Sequence, residues 1–215
     1  MSTSAVEPSR PGWRFWFRWM LATIVGAAGI VLSFPFQLIL EAALGPNLPP
    51  PWTATETALI AVLKGAEGGV MGLGMGLGQW WVFRIYLKQS SGWIIATGLA
   101  LFLQGAFRWS LPYDTPPGQV GVSITLSFGV FLGLCQWFVL RGRVPYAGWW
   151  IAINVAGWLP ALGLMLASEF GGLDIDPILG MFFTAITSVV PFAVAGGGMV
   201  WLLRQTVLAR QAVAS

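Results

Sequence analysis

Charged residues punctuate this chain at wide intervals, and the apolar runs between them are long enough to cross a bilayer. No charge occurs between Arg18 and Glu41. A second run extends from about Thr57 to Phe83 and is interrupted only by Lys64 and Glu67. A third lies between Lys88 and Arg108. The fourth runs from about Gln119 to Leu140, the fifth from about Tyr146 to Ser168 and the sixth from about Pro177 to Leu203. Each approaches or exceeds the ~20 residues a helix needs to cross hydrocarbon. The pattern predicts an all-α integral membrane protein, a six-helix transmembrane bundle with short loops rich in Pro, Gly and Asn. Residues 1–15 are expected as an N-terminal tail, 16–204 as the transmembrane domain and 205–215 as a C-terminal tail. The first run exceeds the roughly 7–15 apolar residues of a signal peptide, so it is expected to stay as a span.

Basic residues fall on one side of these runs. Arg10, Arg14 and Arg18 precede the first, Arg84 and Lys88 lie between the second and third, Arg141 and Arg143 between the fourth and fifth, and Arg204 and Arg210 after the sixth. The opposite side holds Glu41, Glu56, Asp114, Glu169, Asp174 and Asp176, with Arg108 its one basic residue. The positive-inside rule counts Lys and Arg, and it puts both termini in the cytoplasm.

The spans also repeat one another. Gly72-Leu-Gly-Met-Gly76-Leu-Gly-Gln79-Trp80-Trp-Val-Phe-Arg84 matches Gly129-Val-Phe-Leu-Gly133-Leu-Cys-Gln136-Trp137-Phe-Val-Leu-Arg141, both reading G-x-x-x-G-x-x-Q-W-x-V-x-R. The sixth run keeps a worn copy in Gly197, Trp201 and Arg204, with Val200 in the Gln position. The odd runs open alike, with Trp19-Met-Leu-Ala-Thr, Trp93-Ile-Ile-Ala-Thr and Trp149-Trp-Ile-Ala-Ile. The predicted unit is a helical hairpin used about three times. An even number of spans per unit keeps each copy in the same orientation, so parallel pseudo-symmetry about the membrane normal is expected.

This combination resembles a loose, mostly uncharacterised family of small multi-pass membrane proteins of cyanobacteria and green filamentous phototrophs. Its pattern is G-x-x-x-G-x-x-Q-W-x-V-L-R followed by A-x-x-W-[IV]-x-A-x-x-x-G-W. The second copy fits best, continuing as Ala147-Gly-Trp-Trp150-Ile-Ala-Ile-Asn-Val-Ala-Gly157-Trp158. The first departs, with Phe83 in place of Leu and no Gly-Trp at the corresponding place after Trp93. The resemblance covers roughly Gly72 to Trp158. It implies a fold type and a bacterial inner or intracellular membrane more than an activity.

Composition narrows the function classes. Charged residues make up 9% of the chain and apolar residues 56%, against about 25% charged in average globular usage. Lipid removes the need for a polar shell, and the thirteen Trp suit a membrane–water interface. Basic residues scattered among loops make no nucleic-acid footprint. There is no His and one Cys, Cys135. That excludes the usual haem and zinc ligands, a Ser–His or Cys–His dyad and an internal disulfide.

The candidate residues follow from the repeat and from the charges inside spans. Gly72, Gly76 and Gln79 share one helix face, where small residues admit a close neighbour and an amide can bond across. Trp80 and Arg84 sit at headgroup depth, as do Trp137 and Arg141 beside Gln136. One reading makes this set a packing face, polar latch and anchor; a sharper one makes Gln79 and Gln136 the walls of a site for a polar head or a pigment carbonyl. Lys64 and Glu67, three apart on a helix, are expected to pair, with Glu41 or Arg108 as further partners. They are either a structural couple or a polar vestibule for an ion or substrate. Asn154 is a second candidate latch, and Pro35, Pro160 and Pro191 are expected to bend or break their helices.

With no deep carboxylate pair and no nucleophile beside a base, no enzyme and no metal are expected. The expected role is an accessory or assembly subunit of a larger membrane complex, for which the resemblance suggests a photosynthetic or pigment-containing home. The alternative is a small transporter or a lipid- or pigment-binding protein. No cofactor is predicted, and bound lipid or carotenoid is compatible with such faces. Expected partners are membrane lipids and other complex subunits. The same glycine faces could also join copies of this chain into a homo-oligomer.

Overall fold

The computed structural model describes residues 11–44, 52–87, 90–171 and 177–214, and their regular secondary structure is all helix. Arg10, Lys88, Asp174 and Asp176 of the charge pattern lie outside the described residues, as do the side chains of Glu169 and Arg210. The helices are α1 (Trp13–Ala27), α2 (Phe34–Leu44), α3 (Ala54–Phe83), α4 (Gly92–Ser110), α5 (Pro117–Leu140), α6 (Trp149–Gly171) and α7 (Pro177–Ala214). A 3-10 segment, Ala28–Ser33, joins α1 to α2.

Four helices are long and apolar enough to span a membrane: α3, and within α5, α6 and α7 the stretches Gly118–Leu140, Trp149–Ala167 and Val189–Ala209. The first and third expected spans are less clear-cut. The first is divided by the 3-10 turn, which stands just ahead of Pro35. A proline there has no N–H to donate and crowds the carbonyl one turn back, which favours such tightening. The third expected span is α4, a 19-residue helix carrying Gln104 and Arg108. α7 continues past Leu203 to Ala214, so the segment expected as a C-terminal tail extends a helix. Pro160 and Pro191 lie within α6 and α7.

Local chemistry accounts for the helix starts. Thr53 caps α3 with a reciprocal capping box: its hydroxyl accepts from the Glu56 N–H, and the Glu56 carboxylate accepts from the Thr53 N–H at 2.7 Å. Pro117 opens α5 at a position where a missing N–H costs nothing.

Packing runs in chain order: α1 on α3, α3 on α4, α4 on α5, α5 on α6, α6 on α7, and α7 back on α1. Glycines set how closely these helices approach. A Cβ on Gly72 would stand 2.6 Å from the Thr97 carbonyl oxygen, and one on Gly76 2.9 Å from Ile94 Cα. The matching glycines of α5 do the same against α6: a Cβ on Gly129 would be 2.7 Å from Val155 Cα, and one on Gly133 2.8 Å from Ile151 Cα. α3 has a second such face. Gly74 and Gly78 press on the α1 backbone at Gly26 and Ala22. Backbones this close exchange dispersion contacts that a side chain would forfeit.

Candidate functional site

The largest buried cluster lies at the end of the bundle where the repeated Gln residues sit. Its centre is three tryptophans, Trp19 of α1, Trp93 of α4 and Trp150 of α6, exposed by 0%, 0% and 1%. Their ring centroids are 5.9 Å (Trp19–Trp93), 5.6 Å (Trp93–Trp150) and 6.4 Å (Trp19–Trp150) apart. Edge-to-face and tilted aromatic pairs of this kind each add about 0.5–1.5 kcal/mol beyond area burial.

Gln79 and Gln136 hold this centre with the same pair of bonds. The Trp93 indole donates to Gln79 Oε1 at 2.9 Å, and Gln79 Nε2 donates to the Thr23 hydroxyl at 3.1 Å. The Trp150 indole donates to Gln136 Oε1 at 2.9 Å, and Gln136 Nε2 donates to the Thr97 hydroxyl at 2.9 Å. Thr23 and Thr97 in turn donate to the carbonyls of Trp19 and Trp93, at 2.8 and 2.9 Å. Each amide therefore joins three helices and spends both its oxygen and its nitrogen on protein partners. Both Gln residues are buried.

The positions expected as a third copy differ. Trp19 Nε1 is buried and has no hydrogen-bond partner among the described residues. Val200 stands where the repeat would supply an amide, packed against the cluster that contains Trp19. Asn154 occupies the place of Thr23 and Thr97, four residues after its tryptophan. It donates to the Trp150 carbonyl at 2.8 Å, within its own helix, rather than bonding across as expected. A Cβ on Gly197, the counterpart of Gly76 and Gly133, would meet nothing within 4 Å. The α1–α7 seam is held instead by the Trp16 indole donating to the Ala193 carbonyl (2.9 Å) and Arg204 Nε donating to the Pro11 carbonyl (2.8 Å).

At the rim of the cluster the paired Trp–Arg positions behave alike. The Arg84 guanidinium lies 5.2 Å from the Trp80 ring centroid and 3.7 Å from that of Trp81. Arg141 lies 5.6 Å from Trp137 and 4.4 Å from Phe138. Stacking on a ring leaves the planar N–H edge free for an anion. Tyr86, just beyond α3, has its phenol pushed up by burial, opposed by the nearby Arg18 charge.

Lys64 and Glu67 are far from this cluster. Lys64 Nζ bonds Glu67 Oε2 at 2.8 Å and Gln37 Oε1 at 2.5 Å, and Gln37 Nε2 donates to Glu41 at 2.9 Å. Glu41 thus joins through Gln37 rather than directly. The pair borders a cavity of about 230 Å³ that Arg108, Trp109 and Gln104 also line. Lys64 and Arg108 both approach the Trp109 ring, at 5.9 and 5.7 Å. Ser127 donates to Gln104 Oε1 at 2.8 Å, and Gln104 Nε2 donates to the Ile124 carbonyl at 3.1 Å, tying α4 to α5. Gln37 and Gln104 join these contacts although the charge pattern points to neither. Each is a lone amide in an apolar run, a signal that attracts notice only once its neighbours are known.

Comparison with known proteins finds no matching family model, no matching curated protein and no matching solved structure.

Proposed function

We propose that this chain is a six-span membrane protein of about three hairpin units, with both termini cytoplasmic, that acts by packing as a non-enzymatic accessory or assembly subunit of a larger membrane complex. The observation that carries this is the use made of the polar groups at the repeat positions. Gln79 and Gln136 bond indole and hydroxyl groups inside a closed aromatic core, so neither amide faces a ligand. The repeated chemistry serves helix–helix attachment, and what the chain offers to others is its outer surface. That surface carries large exposed aromatics, among them Trp13, Phe17, Trp81, Phe138 and Trp149, which suit lipid or a neighbouring subunit. The family resemblance favours a photosynthetic or pigment-containing complex as its home.

The test is to extract the chain gently from its native membrane and record its intact-complex mass and visible spectrum. A mass well above the 23.2 kDa chain, with other polypeptides present, is the expected result. A colourless particle of this chain and lipid alone would overturn it. For the topology, a phosphatase fused after Ser215 is expected to be inactive, and strong activity outside the cytoplasm would contradict it.

A second reading has one observation of its own. The cavity of about 230 Å³ beside Lys64, Glu67 and Arg108 has the size and polarity for a small ion or polar ligand. On that reading the chain is a small carrier. Lys64→Leu with Glu67→Leu would then abolish uptake while the protein still folds.

A further inference from the structure

The outer face of the α1–α3 pair holds a feature that neither the packing role nor the Lys64 cavity uses. Gly74 and Gly78 draw α3 onto the α1 backbone at Gly26 and Ala22, and this leaves a long groove along the seam. Its volume is about 870 Å³, and its walls are mostly apolar, with Leu21, Val25, Leu77 and Ile85 along them. These four side chains are 52%, 63%, 51% and 62% exposed, so none of the described residues covers the groove. At one end Arg18 and Arg84 border it. There it runs into a second hollow of about 320 Å³, which shares Arg18, Val82 and Ile85 and adds Arg14 and Tyr86. Among the described residues, no carboxylate lines either space.

We propose that this composite site seats an anionic phospholipid, with its headgroup phosphate between Arg18 and Arg84 and an acyl chain along the Gly74–Gly78 groove. Charge decides the occupant. The apolar part would accept any acyl chain, whereas a cluster of three arginines with no carboxylate beside it among the described residues selects a net negative headgroup over a zwitterionic one. Arg84 is stacked on Trp81 at 3.7 Å, which orients the guanidinium and leaves its edge to donate to phosphate oxygens. The position matches the expected membrane depth, because these arginines are on the side that the positive-inside rule assigns to the cytoplasm. The inference rests on the membrane placement of α1 and α3 and not on the accessory-subunit role.

The test uses the full chain in nanodiscs and by native mass spectrometry. Bound lipid and thermal midpoint are compared for dioleoylphosphatidylglycerol, dioleoylphosphatidylcholine and inorganic phosphate alone. Two arginines at a headgroup give an expected preference of about tenfold for the anionic lipid. Arg18→Gln with Arg84→Gln should remove most of that preference. Arg143→Gln, in the α5–α6 loop and outside the groove, should keep it. Leu77→Phe with Val25→Phe, which fills the groove, should lower retention of both lipids. Equal retention of the two lipids by the unaltered protein would overturn the proposal, whatever the variants do. So would stabilisation by phosphate alone equal to that by the anionic lipid, since a bare anion site needs no groove.

Discussion

Supplying the missing amide should stabilise the protein. Trp19 Nε1 is a buried donor with no acceptor among the described residues. Leaving such a group unmade costs about 1–3 kcal/mol. In Val200→Gln the new side chain starts one turn after Gly196, where a Cβ would lie 3.0 Å from Trp19 Cδ1, the carbon bonded to Nε1. Long helical side chains lean toward the N-terminus, so an amide at 200 leans back toward that indole. Gln79 and Gln136 show that a Gln on the preceding helix can hold a Trp of this cluster at 2.9 Å. Against the gain stand the rotamer entropy of the new side chain and the room it needs beside Met199 and Leu202. Interhelical bonds in membranes average about 0.6 kcal/mol and reach about 1.7. The net expectation is a gain of about 0.5–1.5 kcal/mol. The assay is reversible unfolding in bicelles by steric trapping, run as a double-mutant cycle with Trp19→Phe. The gain should vanish in the Phe background, which lacks the donor. Equal effects of Val200→Gln in both backgrounds, or a loss in the native one, would refute the proposed bond.

Other substitutions separate the same ideas. Gln136→Leu orphans the Trp150 indole and is expected to cost about 1–3 kcal/mol in the same unfolding assay, while Gln136→Leu with Trp150→Phe should recover part of it. Gly133→Val drives a side chain into the Ile151 backbone and should abolish the folded, detergent-stable protein on size-exclusion chromatography. Gly197→Ala meets nothing within 4 Å and should be neutral or stabilise by up to about 1 kcal/mol through helix propensity. Lys64→Met alone leaves Glu67 without its cation and should lower the thermal midpoint more than Lys64→Met with Glu67→Met, because one uncompensated charge costs more than an apolar pair.

Local features of the chain were read more surely than its distant pairings. The glycine faces at Gly72–Gly76 and Gly129–Gly133 follow from spacing on one helix, and they meet neighbouring backbone as that spacing requires. The Lys64–Glu67 pair is likewise three residues apart, and it forms. The partners of Gln79 lie 56 residues before it and 14 after, and no helix periodicity points to Thr23 or Trp93. The recurring Trp–Ala–Thr openings carry that information, but the counterpart of Trp19 and Trp93 is Trp150, one residue after the expected Trp149. Trp150 is the buried member, while Trp149 is 60% exposed. Two adjacent tryptophans are indistinguishable until one is known to face the core. The divided first span was foreshadowed only by Pro35, because a 3-10 turn among apolar residues leaves no compositional mark. Gln37, in the helix after that turn, accepts from Lys64 of α3, 27 residues on, a pairing that no spacing along the chain points to.

The central claim is that the repeated polar residues close the interior rather than line a path through it. Cysteine accessibility tests this most directly. In a Cys135→Ala background, Thr23→Cys and Thr97→Cys would place near-isosteric thiols beside Gln79 and Gln136 at positions that are 0% exposed. Intact membranes would then be treated from each side with a small membrane-impermeant thiosulfonate. The account predicts no labelling of either site over a time in which an exposed Tyr146→Cys control reacts completely. Rapid labelling of both core positions would contradict it and would point instead to a water-filled pathway between the helices.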